Sequence, residues 1–316
     1  MQTPNSSSQS SESREVEQLR NLNLNLHYSS PSPSPSPSSR LWRPQAQRNL
    51  RKQWMKLVSH RQKWVSASSN CRSHATSLVN AYLSERYMPS MDLGVLKDMP
   101  NIRQKACLKL ARQQELYGKN LLSSYKDMVG VVSHMVNDSR SMRCFMKAGS
   151  PLAQFSSYSE DKNDLGDGGC IPVFAFWSLP YHEKLAEELV QMFSSELILK
   201  RLLVLELLSM SCEEQQTDTL SWSDEIYSGE HEYLISCGLY DEKTCQPIPP
   251  QINGQGGSDS PFTVESNIRK DQEVLQVYLT TWFVEVNIDT HRVEDIFSIV
   301  GEEMHIVGEE MHVTLS

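Results

Sequence analysis

The stretch LRKQWMKLVSHRQKWVSASSNCRSHATSLVNAY, residues 50–82, decides the fold of this 316-residue chain. Within it Leu50, Trp54, Leu57, Arg61, Trp64, Ser68, Cys71, Ala75, Leu78 and Tyr82 follow one another at alternating steps of four and three. That spacing puts ten side chains on one seam of a single helix, and a seam so long is what a coiled coil turns toward a partner helix. Arg61 and Ser68 weaken its middle. The helix is expected over 45–88. Pro44 is tolerated in a first turn, and Met88-Pro89 is the stop, because the residue before a proline is pushed out of the α region.

Downstream, Asp98 offers an N-cap and Pro100 a first-turn residue for a second helix reaching about Lys147. Its stripe runs Ala106, Leu110, Tyr117, Leu121, Met128, Val131, Met135, Met142 and Phe145. Two such helices joined by a short connection fold back as an antiparallel hairpin about 60–70 Å long. Residues 45–149 form this hairpin, and 150–171 read as a linker. Residues 172–211 hold the aromatic cluster Pro172 to Trp177 and a third helix, Leu179 to Met210, with Ser178 as N-cap. The cluster and this helix are expected to build a core around Phe174, Phe176 and Trp177. The helix is apolar almost all round in its second half, so several of its faces need cover, from the chain's own core or from a partner. Residues 212–265, with Pro249-Pro250 and a glycine run at 254–257, read as an irregular acidic insertion. Residues 266–304 return to helix: first Leu275, Tyr278, Leu279, Trp282 and Val286 share a face, then Asp289 caps a helix striped by Val293, Ile296, Phe297 and Val300. Residues 305–316 are a tail, and the heptad Ile299 to His305 recurs unchanged at 306–312. Residues 1–44 form a Ser/Pro-rich tail expected to be disordered. The fold class is all-α: a long antiparallel coiled-coil hairpin plus C-terminal helices.

Charge divides the chain. Residues 40–150 carry 20 Lys/Arg against 6 Asp/Glu, a net of +14, while residues 151–316 carry 8 against 30, a net of −22. Asymmetry on this scale points to nucleic acid, an acidic protein or the chain's own other half as the partner of the basic part. No apolar run reaches the length of a membrane span, and the polar N-terminus lacks the apolar region of a secretory signal. The seven cysteines are odd in number and contain no C-x-x-C pair, which suits free thiols in a reducing compartment. Nucleophile elbow, phosphate-binding loop, dinucleotide fingerprint and kinase signature are all missing. The expectation is a non-enzymatic protein without cofactor or metal.

Two short motifs stand in the tail. Ser30, Ser32, Ser34 and Ser36 each precede a proline, the minimal pair for proline-directed kinases. Arg20, Leu22 and Leu24 resemble the Arg-x-Leu element by which cyclins dock substrates, and Arg48-Asn49-Leu50 is a poorer match.

Three blocks in order resemble the cyclin-dependent kinase 2-interacting protein family, as an extended member of plant type. They are the aromatic cluster Pro172 to Trp177, the helix segment Met192 to Arg201 with its Glu-Leu-Ile-Leu-Lys-Arg core, and Leu275 to Trp282 with Leu-x-x-Tyr-Leu-x-x-Trp. The basic hairpin is similar to a lengthened version of that family's N-terminal coiled coil. The likeness spans roughly 46–304; the Ser-Pro tail, the 212–265 insertion and the terminal duplication have no counterpart in it. The resemblance implies an adaptor associated with cyclin-dependent kinase complexes, with replication and DNA-damage-checkpoint factors, and with AAA-type ATPase assemblies tied to replication and ribosome biogenesis. It implies the nucleus, with the cytoplasm as the other compartment. Phe174, Phe176, Trp177, Leu197, Leu199, Lys200, Arg201, Tyr278 and Trp282 are the residues expected to form its core or partner surface. The alternative reading is a nucleic-acid-binding protein that uses the basic 40–150 hairpin.

Overall fold

The structure is a computed structural model that describes residues 37–143, 172–212, 220–250 and 271–305. The candidate phosphosites, the Arg20–Leu24 motif, the 150–171 linker and the second IVGEEMH copy lie outside the described residues.

The first helix, α1, spans Pro37–Tyr87 and stops where Met88-Pro89 predicts. It starts earlier than the expected residue 45, so Pro44 stands inside the helix. Nine of the ten seam positions are buried, and only Arg61 is half-exposed. The second helix, α2, spans Ile102–Arg140 and ends in a 3-10 turn, Ser141–Arg143. Asp98 and Pro100 fall in the preceding turn. The N-cap is instead Asn101, at φ +61°, a left-handed conformation that asparagine tolerates better than most residues.

Contacts along α1 and α2 fix an antiparallel hairpin. Asn49 donates to the carbonyls of Ser141 and Met142 at 3.0 and 2.8 Å. Lys56 and His60 meet Asp138, Cys71 lies 3.6 Å from the Leu121 carbonyl, and Gln114 pairs with Glu85. The third helix, α3, spans Leu179–Leu208 and runs back along α2, with Glu183 against Arg143 at one end and Leu208 against Gly118 at the other. Two short helices complete the set: α5, Gln272–Val284, and α6, Thr290–Glu303, which Asp289 caps by accepting from the Arg292 amide. Together they descend alongside both α1 and α3. Trp282 donates to the Ser68 carbonyl, Phe297 meets Trp54 edge-on at 6.1 Å, and Arg51 reaches the Met304 carbonyl. On the other flank Tyr278 reaches Glu206, Asn287 reaches Glu196, and Arg292 reaches Glu188. This is an up-down-up-down four-helix bundle whose fourth position is shared by two helices in tandem. The hairpin seam is therefore the bundle core, and Trp54, Trp64, Tyr125, Phe193 and Trp282 fill it.

The 212–265 segment reads in sequence as an acidic, mostly irregular insertion; its described part, 220–250, holds regular structure. It holds α4, Glu230–Cys237, and a two-residue hairpin of β1, Tyr240–Asp241, with β2, Gln246–Pro247. Trp222, Ile226 and Leu234 are buried, and the Trp222 indole donates to the Pro247 carbonyl at 2.8 Å. Between residues 83 and 113 no side chain is buried.

The aromatic cluster also differs from expectation. Phe174 is buried and Trp177 half-buried, but Phe176 is 79% exposed. Val173 donates its amide to the Trp177 carbonyl at 2.8 Å, closing a tight loop. Buried Glu303, in the first IVGEEMH copy, accepts from the amides of Phe176 and Trp177 at 2.7 and 2.8 Å. The backbone of Phe176 is held inward by this carboxylate and its ring is turned out.

Trp64→Ala should cost about 3–5 kcal/mol in urea denaturation, because a fully buried indole leaves a cavity between α1 and Phe193. Phe176→Ala should change stability by less than about 0.5 kcal/mol.

Candidate functional site

Consecutive residues on a helix point about 100° apart. On α3 that separation sends Lys200 toward α5 and Arg201 toward α4, and both are fully buried. The Lys200 ammonium lies 2.9 Å from Glu196 on the same face of α3 and 4.7 Å over the Trp282 ring, and it donates to the Trp282 carbonyl. Glu196 in turn accepts from the backbone and side-chain amides of Asn287, both at 3.0 Å. Burial pulls the Lys200 pKa down from its ordinary value, and Glu196 opposes that pull. Arg201 forks onto Glu230 at 3.0 and 3.2 Å and donates to the carbonyls of Trp222 and Asp224. Glu230 is completed by the Tyr125 hydroxyl at 2.7 Å and the Ile226 amide at 2.8 Å. Lys200 and Arg201, expected in the core or on a partner surface, are thus core anchors. Leu197 and Trp282 are buried beside them, while Leu199 and Tyr278 are half-buried.

The α5–α6 turn is pinned with the same economy. Glu285 adopts φ +49° and its carboxylate accepts from the Trp64 indole and the Ser68 hydroxyl, at 3.2 and 2.7 Å. Arg61 meets Glu294 and lies over the Phe297 ring. The two weak points of the α1 seam are therefore the places where the C-terminal helices attach. With Trp282, Glu285 and Asn287 anchored, the residues between them are forced outward. Phe283, Val284 and Val286 are about 60% exposed, at 65, 59 and 61%. Val277 and Val274 extend this apolar band along the outer face of α5, and exposed Val65 follows Trp64 on α1. Arg72 covers one side of Phe283 at 5.0 Å.

The two charged halves partly neutralise one another. Arg61–Glu294, Arg86–Asp271 and Arg143–Glu183 all cross between them. Other basic residues of the hairpin are used on carbonyls: Arg43 on Val173 and Phe174, Arg140 on Ser236. Leu50 is fully buried, so Arg48-Asn49-Leu50 cannot serve as a docking element. Glu196, Glu230, Glu285 and Glu303 were not singled out in the sequence. Only Glu196 carries a signal there, its i,i+4 spacing to Lys200.

Two histidines are buried. His60 donates Nε2–H to Asp138 at 2.9 Å and stacks on His134; its Nδ1 has no partner among the described residues. His182 uses Nδ1 on the Ser178 carbonyl, and its Nε2 has no partner among them. Burial lowers both pKa values below the ordinary 6.5. No described helix is long and apolar enough to cross a membrane.

Arg201→Met should cost about 3–5 kcal/mol, because it strands Glu230 as a buried unpaired charge. The double variant with Glu230→Gln should lose less than the two single losses together. The histidines give a pH dependence. The unfolded chain protonates them near 6.5 while the folded chain resists, so stability is full above that value and is lost as pH falls below it. Melting temperature should drop between about pH 6.5 and 5, and His60→Gln with His182→Gln should flatten the drop.

Comparison of the chain with models of known families and with curated proteins returns no match.

Proposed function

We propose that this chain is a non-enzymatic adaptor. It holds cell-cycle, DNA-replication or checkpoint, or AAA-type ATPase complexes in the nucleus through helical surfaces. The observation that carries the reading is the apolar band of Val274, Val277, Phe283, Val284 and Val286. Large apolar side chains left in water on a firmly anchored element are the mark of a protein interface. The resemblance of residues 172–177, 192–201 and 275–282 to the cyclin-dependent kinase 2-interacting protein family supplies the partner classes. The nucleic-acid reading draws less support, because Arg61, Arg86 and Arg143 of the hairpin are paired with Glu294, Asp271 and Glu183, and Arg43 is held by backbone carbonyls.

The test is affinity capture from nuclear extract with the full chain, quantified by mass spectrometry. Cyclin–kinase, replication-factor or AAA-type ATPase subunits should be recovered with the wild type. Val277→Glu with Phe283→Glu should abolish that recovery at unchanged melting temperature. Recovery of none of these classes, or recovery indifferent to the two substitutions, would overturn the reading.

A further inference from the structure

The outer face of α2 near the hairpin tip carries a second, differently built surface. Lys105, Leu108, Lys109, Arg112, Leu116 and Lys119 are all exposed. At 100° per residue their spacing places all six within an arc of about 100°, a single ridge about 21 Å long. Leu108 and Leu116 are 56% and 55% exposed and lie toward the two sides of the arc, with Lys119, Arg112 and Lys105 between them and Lys109 beside Leu116. Lys105, Lys109 and Arg112 make no ion pair among the described residues, whereas Arg61, Arg86 and Arg143 each meet a carboxylate. Lys119 is shared only with exposed Glu115.

We propose that this ridge is the docking site for an acidic amphipathic helix of a partner protein. The inference rests on the adaptor reading and adds a location and a partner chemistry to it. Charge complementarity selects the occupant. Four cations on one stripe call for carboxylates at helical spacing, and the two leucines that border the stripe call for apolar residues at i and i+7 or i+8 of the incoming helix. A second copy of this chain is disfavoured, because two such ridges repel. Phosphate backbones would satisfy the cations but offer nothing to Leu108 and Leu116. An anionic lipid surface would need a broader apolar face than two leucines supply. Glu183, Asp271 and Glu294 of the chain's own acidic half pair with Arg143, Arg86 and Arg61 rather than with this ridge.

The experiment uses the full chain and three probes. The first is a fluorescein-labelled designed helix with leucines on one face and glutamates beside them. The others are a duplex DNA oligonucleotide and phosphatidylserine vesicles. The peptide should bind in a salt-sensitive manner. Lys105→Glu with Lys109→Glu and Arg112→Glu should weaken it about tenfold or more, as should Leu108→Ser with Leu116→Ser. All these positions are exposed, so melting temperature should hold. DNA or vesicle binding that is as tight and ignores the leucine substitutions would overturn the proposal, as would failure of the peptide to bind. Self-association abolished by the same variants would also overturn it. Val277→Glu with Phe283→Glu should leave peptide binding intact. Failure of the ridge is thus read separately from failure of the adaptor function.

Discussion

The fold turns on the need to pair two cations that α3 carries into the core. A buried ammonium or guanidinium is tolerable only with a carboxylate beside it and its remaining hydrogens satisfied. Lys200 and Arg201 meet that demand in different directions. The first draws in Glu196, Asn287 and the Trp282 carbonyl, and so fixes where α5 ends. The second draws in Glu230 and two carbonyls of the 222–224 turn, and so holds a segment of little intrinsic periodicity against α2 and α3. Apolar residues at these positions would give a core of similar density. They would not specify which turn sits where, and specificity of that kind is what a buried, charge-paired polar network contributes.

This arrangement changes the meaning of the charge asymmetry. A net of +14 facing a net of −22 looks like a surface awaiting partners. In the folded chain part of it is used at helix–helix seams, at Arg61–Glu294, Arg86–Asp271 and Arg143–Glu183. Two local surfaces stand apart from these seams: an apolar band on α5, and a ridge of lysines, arginine and leucines near the hairpin tip. The two differ in chemistry and lie on different elements.

The hairpin was legible because a period of 3.5 leaves a regular trace over ten positions, from Leu50 to Tyr82. What that one-dimensional trace does not reveal is a third and fourth neighbour. Arg61 and Ser68 read as flaws in the seam, and only the fold shows Glu294 and Glu285 arriving there. The α6 stripe Val293, Ile296, Phe297 and Val300 is buried as its spacing predicts, because a short capped helix has one face to hide. Val286 was read onto the buried face of α5 and is exposed, since the helix stops at Val284 and Glu285 turns the chain at positive φ. Phe176 failed for a related reason: apolarity argues for burial, but a closed loop decides which ring points in. Of the candidate site, the apolar character of α5 was visible in the sequence, while its outward orientation depends on anchors far away in the chain.

The bundle's fourth position is filled by helices made well after the other three. Arg51 and its acceptor at Met304 are 253 residues apart, and Trp54 lies nearly as far from Phe297. A ribosome synthesising this chain therefore releases the aromatic seam of α1 long before the pieces that seal it. Throughout that interval the hairpin can close on itself, but Trp54 and the Arg61–Ser68 stretch wait uncovered. Sequence-distant closure of this kind slows folding and exposes apolar surface to the crowded cell, so the protein's maturation is tied to completion of its C-terminal helices.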